Sequence, residues 1–448
     1  MKIVIAGASA IGSHLARLLS RSNQDIVLID QNADKLDDIS SEYDLMTLHG
    51  SPTEIKTLRQ ADTDEADIFI AVTPDENANI TSCAMAHAMG ARKTVAQVDN
   101  YEFLDSDNDV IIRRMGIDTM IYPEKLAAEN IIKGLKLSWV RQRWDVLGGS
   151  LVMLGIKLRE SCEILNQPLH LLCGPQDPYH VVAIKRGNDT IIPGGADELR
   201  LYDIVYFMTM TNYISYIRKI VGKEHYADVK NVIVMGGGKT AIRAAKEMPS
   251  FINTKIIEIN ERQCDVLNEE LDDTSAIVIH GDGRDINLLR EENIKNTQGF
   301  VALTGDDEVN ILACLTAKKL GVRKTIAMID NSNYLSMAES LDIGTIINKK
   351  MLAAGNIYQM MLDADVQNIG YLASVNADVA EFTALPGSKV TRKKVFEMGL
   401  PKGCTIGGLV RGKEGMLVSG GTQIEAGDKV VVICYDLNLK KIEKFFAN

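Results

Sequence analysis

The sequence predicts an α/β chain made of two doubly wound parallel sheets, each followed by a small β-rich α+β lobe. Three observations predict it. Apolar runs alternate with helical patterns in β-α-β order from residue 2 to residue 136. A glycine-rich turn joins a strand to a helix twice, after Lys2–Ala6 and after Val232–Met235. A series of other segments then recurs in the same order, which marks a duplicated chain.

In the first half, apolar alternation and turn residues place strands at Lys2–Ala6, Asp25–Ile29, Asp44–Leu48, Ile68–Val72, Thr94–Val98 and Thr119–Ile121. Helical periodicity falls near 11–22, 32–41, 52–60, 77–89, 102–115 and 123–136. Strands that alternate with helices give a parallel sheet whose ligands sit beyond the carboxyl ends of the strands. Gly7, Asp30, His49–Ser51, Thr73 and Val98–Asp99 all fall at or just past those ends. After Pro123 the helical spacing continues through "AAENIIKGLKLSWVRQRWD", with Ile131, Ile132, Leu135, Trp139 and Val140 on one stripe. A core-facing helix is the favoured reading. A helix packed on another subunit, burying Ile131, Leu135 and Trp139, is the alternative.

From Gly148 the chain turns strand-rich, with "SLVMLGIKL" and "VVAIKRGNDTIIPGGADELRLYDIVYFM" broken by turn residues. The second half closes in the same way with "GLVRGKEGMLVSGGTQIEAGDKVVVI". The polar stretch "VGKEHYAD", 221–228, links the halves. The expected organisation is therefore a first sheet domain over 1–122, a crossover segment over 123–147, a β-rich lobe over 148–222, a second sheet domain over 229–350, a crossover over 351–370 and a second β-rich lobe over 371–448.

The turn "VIVMGGGKTAIRAA" looks at first like an ATPase phosphate loop. That loop needs G-x-x-x-x-G-K-[ST], and Ile233 stands where its first glycine belongs. What fits is G-x-G-x-x-G/A: Gly236, Gly238 and Ala241, with Gly237, Lys239 and Thr240 between them. This is the dinucleotide-binding turn of a Rossmann unit. In the first half "KIVIAGASAIGSHLAR" carries Gly7, Ser9 and Gly12, with Ala8, Ala10 and Ile11 between them. The repeat extends well beyond the loop. "HGS" at 49 returns as "HGD" at 280, so Ser51 pairs with Asp282. "AVTPDENAN" at 71 returns as "ALTGDDEVN" at 302, pairing Thr73 and Pro74 with Thr304 and Gly305. "GARKTVAQVDN" returns as "GVRKTIAMIDN", and "TMIYPEKLAAENI" as "TIINKKMLAAGNI".

Asp30 ends the second strand of the first half and Glu258 ends its counterpart. A carboxylate there accepts hydrogen bonds from ribose hydroxyls and repels a 2′-phosphate, which favours NAD(H) or ATP/ADP over NADP. Thr73 with Asp75, and Thr304 with Asp306, can approach a ligand, and they can equally cap the helix that follows. Asn77, Asn79 and Asn310 lie in the first turn of that helix and are weaker candidates. His49 and His280 can touch a ribose or close a strand end.

Composition narrows the function classes. Of 448 residues, 46% are hydrophobic and 24% charged, as in ordinary globular proteins, and the length calls for several domains. A net charge of −11 disfavours nucleic acid and anionic lipid as direct partners. The seven cysteines form no CxxC, which argues against a zinc site or disulfide frame and suits a reducing cytoplasm. The first strand begins at the N-terminus, so no signal peptide is expected. No HExxH, G-x-S-x-G or Cys/His pair is present. The single Tyr-x-x-x-Lys, Tyr226 and Lys230, lies in the linker, where no helix would align the two. Two nucleotide folds without a catalyst suggest a sensor, and no enzymatic activity or metal is expected.

The stretches "MKIVIAGASAIGSHLA", "AVTPDENANI", "VIVMGGGKTAI", "HGDGRDINLLREENI" and "LTGDDEVNILACLTAKKLG" resemble the peripheral NAD-binding component of bacterial Trk potassium uptake systems, the TrkA family. The β-rich segments resemble the C-terminal lobe of the regulator-of-potassium-conductance (RCK) module, in the order N-lobe, C-lobe, N-lobe, C-lobe. The resemblance implies a cytoplasmic homo-oligomer, dimer or tetramer, docked under a membrane-embedded, TrkH-like potassium translocation subunit and responsive to NAD(H) and adenine nucleotides. It implies phosphate loops on Gly7–Ile11 and Gly236–Thr240 and ribose carboxylates on Asp30 and Glu258. It implies further contacts on Thr73–Pro74, Thr304–Gly305 and near Val98. Members of the family often carry a basic residue at the end of strand five, where this chain reads "AQVDN". A regulator of a different cation transporter is the alternative, and an NAD-dependent oxidoreductase a more distant one.

Overall fold

The computed structural model describes residues 1–20, 24–174, 177–187, 189–361, 366–372, 377–435 and 439–446. Two compact units emerge. The first comprises Met1–Leu126 with Lys349–Met361, and the second Ala127–Asn348 with the described residues from 366 onward.

The first unit is built on a six-stranded parallel sheet of β1 (Lys2–Ala6), β2 (Asp25–Asp30), β3 (Met46–His49), β4 (Ile68–Ala71), β5 (Thr94–Gln97) and β6 (Thr119–Ile121). Their order is β3-β2-β1-β4-β5-β6, so the sheet is doubly wound and parallel, as the alternation of strands and helices predicts. The Val- and Ile-rich strands β1, β2 and β4 are buried on both faces, as parallel strands covered by helices must be. Helices α1 (Ala10–Ser20), α2 (Ala33–Glu42), α3 (Ile55–Gln60), α4 (Glu76–Met89), α5 (Asp109–Arg114) and α6 (Pro123–Lys136) follow the strands. Asn32 and Asp75 cap α2 and α4 through their side chains. The helix expected over 102–115 is interrupted. Asn100 and Asp105 accept hydrogen bonds from the amides of Glu102 and Asp107 and start separate 3₁₀ turns, which leaves only α5 as helix. One face of this unit is closed by the helix Lys349–Met360. Its Ala353, Ala354 and Ile357 join Ile11, Leu15 and Leu19 of α1 in one core.

The second unit repeats the sheet. Before it in the chain comes an antiparallel lobe of β7 (Gln142–Val146), β8 (Leu151–Lys157), β9 (Tyr179–Arg186), β10 (Asp189–Ile191) and β11 (Ile204–Thr209), ordered β10-β9-β11-β8-β7. The parallel sheet β12 (Asn231–Met235), β13 (Asn253–Glu258), β14 (Ile277–His280), β15 (Gly299–Ala302), β16 (Lys324–Met328) and β17 (Thr345–Ile347) has the order β14-β13-β12-β15-β16-β17. A second antiparallel lobe holds β18 (Val366–Leu372), β19 (Ala377–Thr383), β20 (Cys404–Arg411), β21 (Glu414–Leu417) and β22 (Lys429–Tyr435), ordered β18-β19-β22-β20-β21. An ion pair between a half-exposed arginine and a buried aspartate recurs in the two antiparallel lobes. Arg186 binds buried Asp203, and Arg411 binds buried Asp428. The two lobes share a core in which Leu151, Met153, Val182 and Met208 meet Val379, Val410 and Ile433.

Two further expectations from the sequence fail. The helical run after Pro123 stops at Lys136, and β7 begins at Gln142. The Arg141 amide donates to the Gly155 carbonyl at 2.9 Å, so pairing with β8 takes over the backbone that the apolar spacing assigned to a helix. Likewise β18 begins at Val366, inside the expected second crossover. The apolar stripe is also satisfied within the chain. Leu135 lies against Gly299, whose Cβ would stand 3.0 Å from it, while Trp139 and Val140 enter the core of the first antiparallel lobe. Ile131, Leu135 and Trp139 are buried, so they are core residues, not a surface offered to another subunit. The linker stretch is also tied down. Lys223 is buried, with its ammonium donating to the Tyr226 hydroxyl at 3.0 Å, and Arg218 bonds the Tyr226 carbonyl.

Candidate functional site

Both candidate loops lie where the order of a parallel sheet reverses, between β1 and β4 and between β12 and β15. The crevice beyond the strand ends at such a switch point is the usual ligand position in this architecture. Gly7 has φ +110° and Gly236 φ +98°, a region that L side chains rarely occupy. A Cβ on Gly7 would stand 2.8 Å from the Thr73 amide nitrogen, and one on Gly236 3.0 Å from that of Thr304. The first glycine of each fingerprint therefore seats the loop against the end of β4 or β15. The Gly7 amide still donates to the Ile29 carbonyl and the Gly236 amide to that of Ile257, so each loop stays stitched to the neighbouring strand.

The loops then open helices. Ser9 precedes α1, whose first residue Ala10 is exposed while Ile11 and Gly12 are buried. Gly238, in extended backbone, caps the helix Lys239–Lys246, in which Lys239 is exposed and Thr240 buried. First-turn amides of a helix have no intrahelical acceptor, and with the helix dipole they favour an anion. A Cβ at Gly238 would meet nothing within 4 Å, so the protein leaves the space over that position open. At Ser9 the hydroxyl oxygen accepts from the Gly12 amide at 3.3 Å.

Beside each loop stands its carboxylate. The Ala8 amide donates to Asp30 Oδ2 at 2.5 Å and the Asn32 amide to Oδ1 at 2.8 Å. In the second lobe the Gly237 amide donates to Glu258 Oε2 at 2.6 Å and the Asn260 amide to Oε1 at 2.8 Å. Different side chains thus recreate one arrangement, a carboxylate gripping the middle of the glycine loop with one oxygen and the next helix start with the other. His49 and His280 contact the carbonyls of Gln31 and Ile259, closing the loop behind that carboxylate.

At the end of the third strand the halves diverge. Ser51 Oγ pairs with Thr53 Oγ1 at 2.8 Å. Its counterpart Asp282 binds the guanidinium of Arg284 through both oxygens, and those hydrogen bonds hold its carboxyl below the ordinary carboxylate range. Arg284 is also attracted electrostatically by Asp306, so the second crevice carries an ion pair where the first has the uncharged Ser51 and Thr53.

The strand-four candidates hold each other in place. The Thr73 hydroxyl donates to Asn79 Oδ1 at 2.7 Å, and the Thr73 amide donates to the same oxygen at 2.8 Å. Asn79 Nδ2 returns bonds to the carbonyls of Thr73 and Gln97. Thr304 and Asn310 repeat the pattern, with Met328 in place of Gln97. Asp75 and Asp306 cap the helices, and both are exposed together with the Pro74 and Gly305 that precede them. Val98 is buried with its side chain in the core, so it presents only backbone to the crevice.

Two pairs of residues matter more than their sequence signal suggests. Asn79 and Asn310 are buried organisers of the strand-four loop. Glu76 and Asp307 accept the amides of Asp99 and Asn100, and of Asp330 and Asn331, fixing the loop after strand five. Their recurrence in "AVTPDENAN" and "ALTGDDEVN" is the signal that could have found them. Among the described residues no group of His, Cys, Asp and Glu could hold a metal, and no helix is long and apolar enough to cross a membrane. Cys83 and Cys314 donate from buried thiols to the carbonyls of Val95 and Ile326, and burial pushes Cys314 up to about 12.

Residues 3–123 and 232–349 each match the family model of the TrkA-N domain, and residues 379–447 match that of the TrkA-C domain. The chain belongs to the TrkA family. It is 30% identical over 453 residues to the Trk system potassium uptake protein TrkA of Halomonas elongata, covering 100% of this chain and 98% of the relative. The TrkA of Haemophilus influenzae is 28% identical over 459 residues, with the same coverage. Among solved structures, the GsuK RCK domain superposes with a TM-score of 0.59 at 16% identity, covering 99% of this chain and 94% of that one. The GsuK channel bound to NAD gives 0.58 at 15%, covering 99% and 78%. At that identity the likeness establishes the RCK fold. Membership in the TrkA family places the chain among the proteins of potassium transport.

Proposed function

We propose that this TrkA-family chain is the nucleotide-sensing regulatory subunit of a potassium uptake system, acting at the cytoplasmic face of the membrane. Each Rossmann lobe binds an adenine nucleotide, NAD(H) or ATP/ADP, and the bound state biases a homo-oligomer that gates a membrane-embedded, TrkH-like translocation subunit. The observation that carries the reading is the double construction of one geometry. A positive-φ glycine, a loop-gripping carboxylate and a helix that starts directly after the loop recur at both sheet switch points, on different side chains. A tight turn kept for packing alone gives no reason to rebuild the carboxylate as Asp30 in one half and Glu258 in the other. The GsuK channel, which shares the fold, binds NAD, and that ligand class agrees with the reading.

The residues divide the work. The amides at the starts of α1 and of the helix Lys239–Lys246, with Ser9, Gly238 and Lys239, face the phosphates. Asp30 and Glu258 accept the ribose hydroxyls, and Ser51, Asp282, Thr73–Pro74, Thr304–Gly305 and the Val98 backbone line the rest of the crevice. The nucleotide contributes charge and hydrogen bonds and undergoes no chemistry. Asp30 already holds the Ala8 amide, so a ribose hydroxyl that takes up this carboxylate changes its grip on the loop that starts α1. Helix α1 packs on the helix Lys349–Met360, which comes from the second half of the sequence, and through that contact binding at the first lobe reaches the rest of the chain. A ligand shifts gating only by its differential affinity for the two arrangements. Potassium flux into vesicles holding the translocation subunit tests this. The wild-type chain should make flux respond to added NADH or ATP, and Asp30→Ala with Glu258→Ala should abolish the response. A response unchanged in the double variant overturns the proposal.

A further inference from the structure

In the second unit, positive charge gathers around Asp342, and it does not balance there. Asp342 sits in a left-handed turn, φ +57°, just before β17. Lys157 Nζ lies 3.0 Å from its Oδ1 and Lys318 Nζ 3.3 Å from its Oδ2, while the guanidiniums of Arg141 and Arg159 each bond one of its oxygens. Lys157 and Arg159 also lie over the ring of Tyr202. Nearby, the buried Lys324 ammonium donates to the Val140 carbonyl and to Thr345 Oγ1. Glu339 adds a second negative charge felt by Arg141. Four cations and a fifth amine thus face two carboxylates.

The imbalance shows in the amines themselves. Burial and repulsion from neighbouring cations lower Lys157 and Lys318 to about 8. A carboxylate offers about four lone-pair sites, while two guanidiniums and two ammoniums bring far more donors. The cluster is reachable, since the Arg159 side chain is 36% exposed and that of Lys318 28%. It has no counterpart in the first half, where Gly116 of "MGIDT" stands at the place of Asp342 in "LDIGT". It is therefore separate from the duplicated nucleotide crevices.

We infer that the Arg141–Lys157–Arg159–Lys318 cluster binds a small, multiply charged oxyanion of the phosphate class, with Asp342 as the internal counterion it competes against. Guanidiniums present paired donors that match phosphate oxygens, and a doubly charged anion neutralises what one carboxylate leaves over. Because Lys157 and Arg159 belong to the first antiparallel lobe and Lys318 to the second Rossmann lobe, a bound anion tightens their junction.

The test is calorimetry on the full-length chain with inorganic phosphate and pyrophosphate, and separately with ATP in a chain carrying Asp30→Ala and Glu258→Ala. Asp342→Asn keeps a residue that tolerates the left-handed turn and removes the competing charge, so phosphate affinity should rise by about tenfold. Lys157→Gln with Arg159→Gln should lower it by a similar factor. Saturable inorganic phosphate or pyrophosphate binding with this ordering identifies a free anion as sufficient. ATP binding alone with the same ordering assigns the site to a phosphorylated nucleotide. Should Asp342→Asn loosen the fold, added phosphate is expected to restore its melting temperature. The inference is overturned if the Lys157/Arg159 variant binds each probe as the wild type does, or if Asp342→Asn binds no more tightly.

Discussion

Asn79→Ala tests whether the strand-four loop is organised by a buried amide instead of by its ligand-facing threonine. Asn79 is 1% exposed and engages four groups: the Thr73 amide, hydroxyl and carbonyl, and the Gln97 carbonyl. Alanine removes all four hydrogen bonds, worth about 1 kcal/mol each net, and leaves buried backbone groups that cost about 1–3 kcal/mol apiece when unpaired. Some of them relax or find water, so a local loss of about 3–5 kcal/mol is expected for the end of β4. Gly7 abuts Thr73, so the loosened turn no longer supports the glycine loop, and nucleotide affinity at the first lobe falls with it. Amide hydrogen exchange over β1, β4 and β5 reads the loss. Calorimetry with NADH reads the consequence. Exposed Asn77→Ala is the control, expected within about 0.5 kcal/mol of wild type, and Asn310→Ala should reproduce the effect in the second lobe only. Exchange in Asn79→Ala that matches the Asn77 control would refute the reasoning.

Asp30→Ala should weaken nucleotide binding at the first lobe by about 1–3 kcal/mol, measured by titration with Glu258→Ala silencing the other lobe. In such single-site backgrounds Ser9→Gly should tighten the first site and Gly238→Ser weaken the second. Looser binding in Ser9→Gly would make the serine hydroxyl a phosphate ligand. Leu135→Ala should cost about 2–5 kcal/mol of stability without changing the mass of the folded assembly by light scattering, since Leu135 is buried inside the chain. Burial lowers Lys324 to about 7 from an ordinary value of 10.5. The unfolded chain therefore binds a proton at this lysine more readily than the native one between those values, and stability rises with pH from about 7 towards 10.5. Thermal melts across that range should show a smaller rise in Lys324→Met.

Much of the fold and of both crevices was legible in the sequence because the chain states them twice. The fingerprints, the carboxylates Asp30 and Glu258 and the alternation of strands with helices followed from local patterns that do not depend on distant partners. Where the reading failed, a distant partner decided. Ile131, Leu135 and Trp139 share a helical stripe, yet Leu135 packs on the second Rossmann lobe and Trp139 in an antiparallel lobe, and pairing with β8 follows the end of the helix between them. The charged cluster at Asp342 was invisible because Arg141, Lys157 and Lys318 are far apart in sequence and the cluster is not repeated. Asn79 was undervalued for a local reason. A polar residue in a first helical turn looks solvent-facing until the turn before it folds back over it.

Two nucleotide sites per chain are the central claim, and calorimetric titration with NADH of the wild type, Asp30→Ala, Glu258→Ala and the double variant measures them directly. The expected result is two sites in the wild type, one intact and one weakened in each single variant, and both weakened in the double variant. Unaltered stoichiometry and affinity in the double variant would contradict the assignment of both crevices.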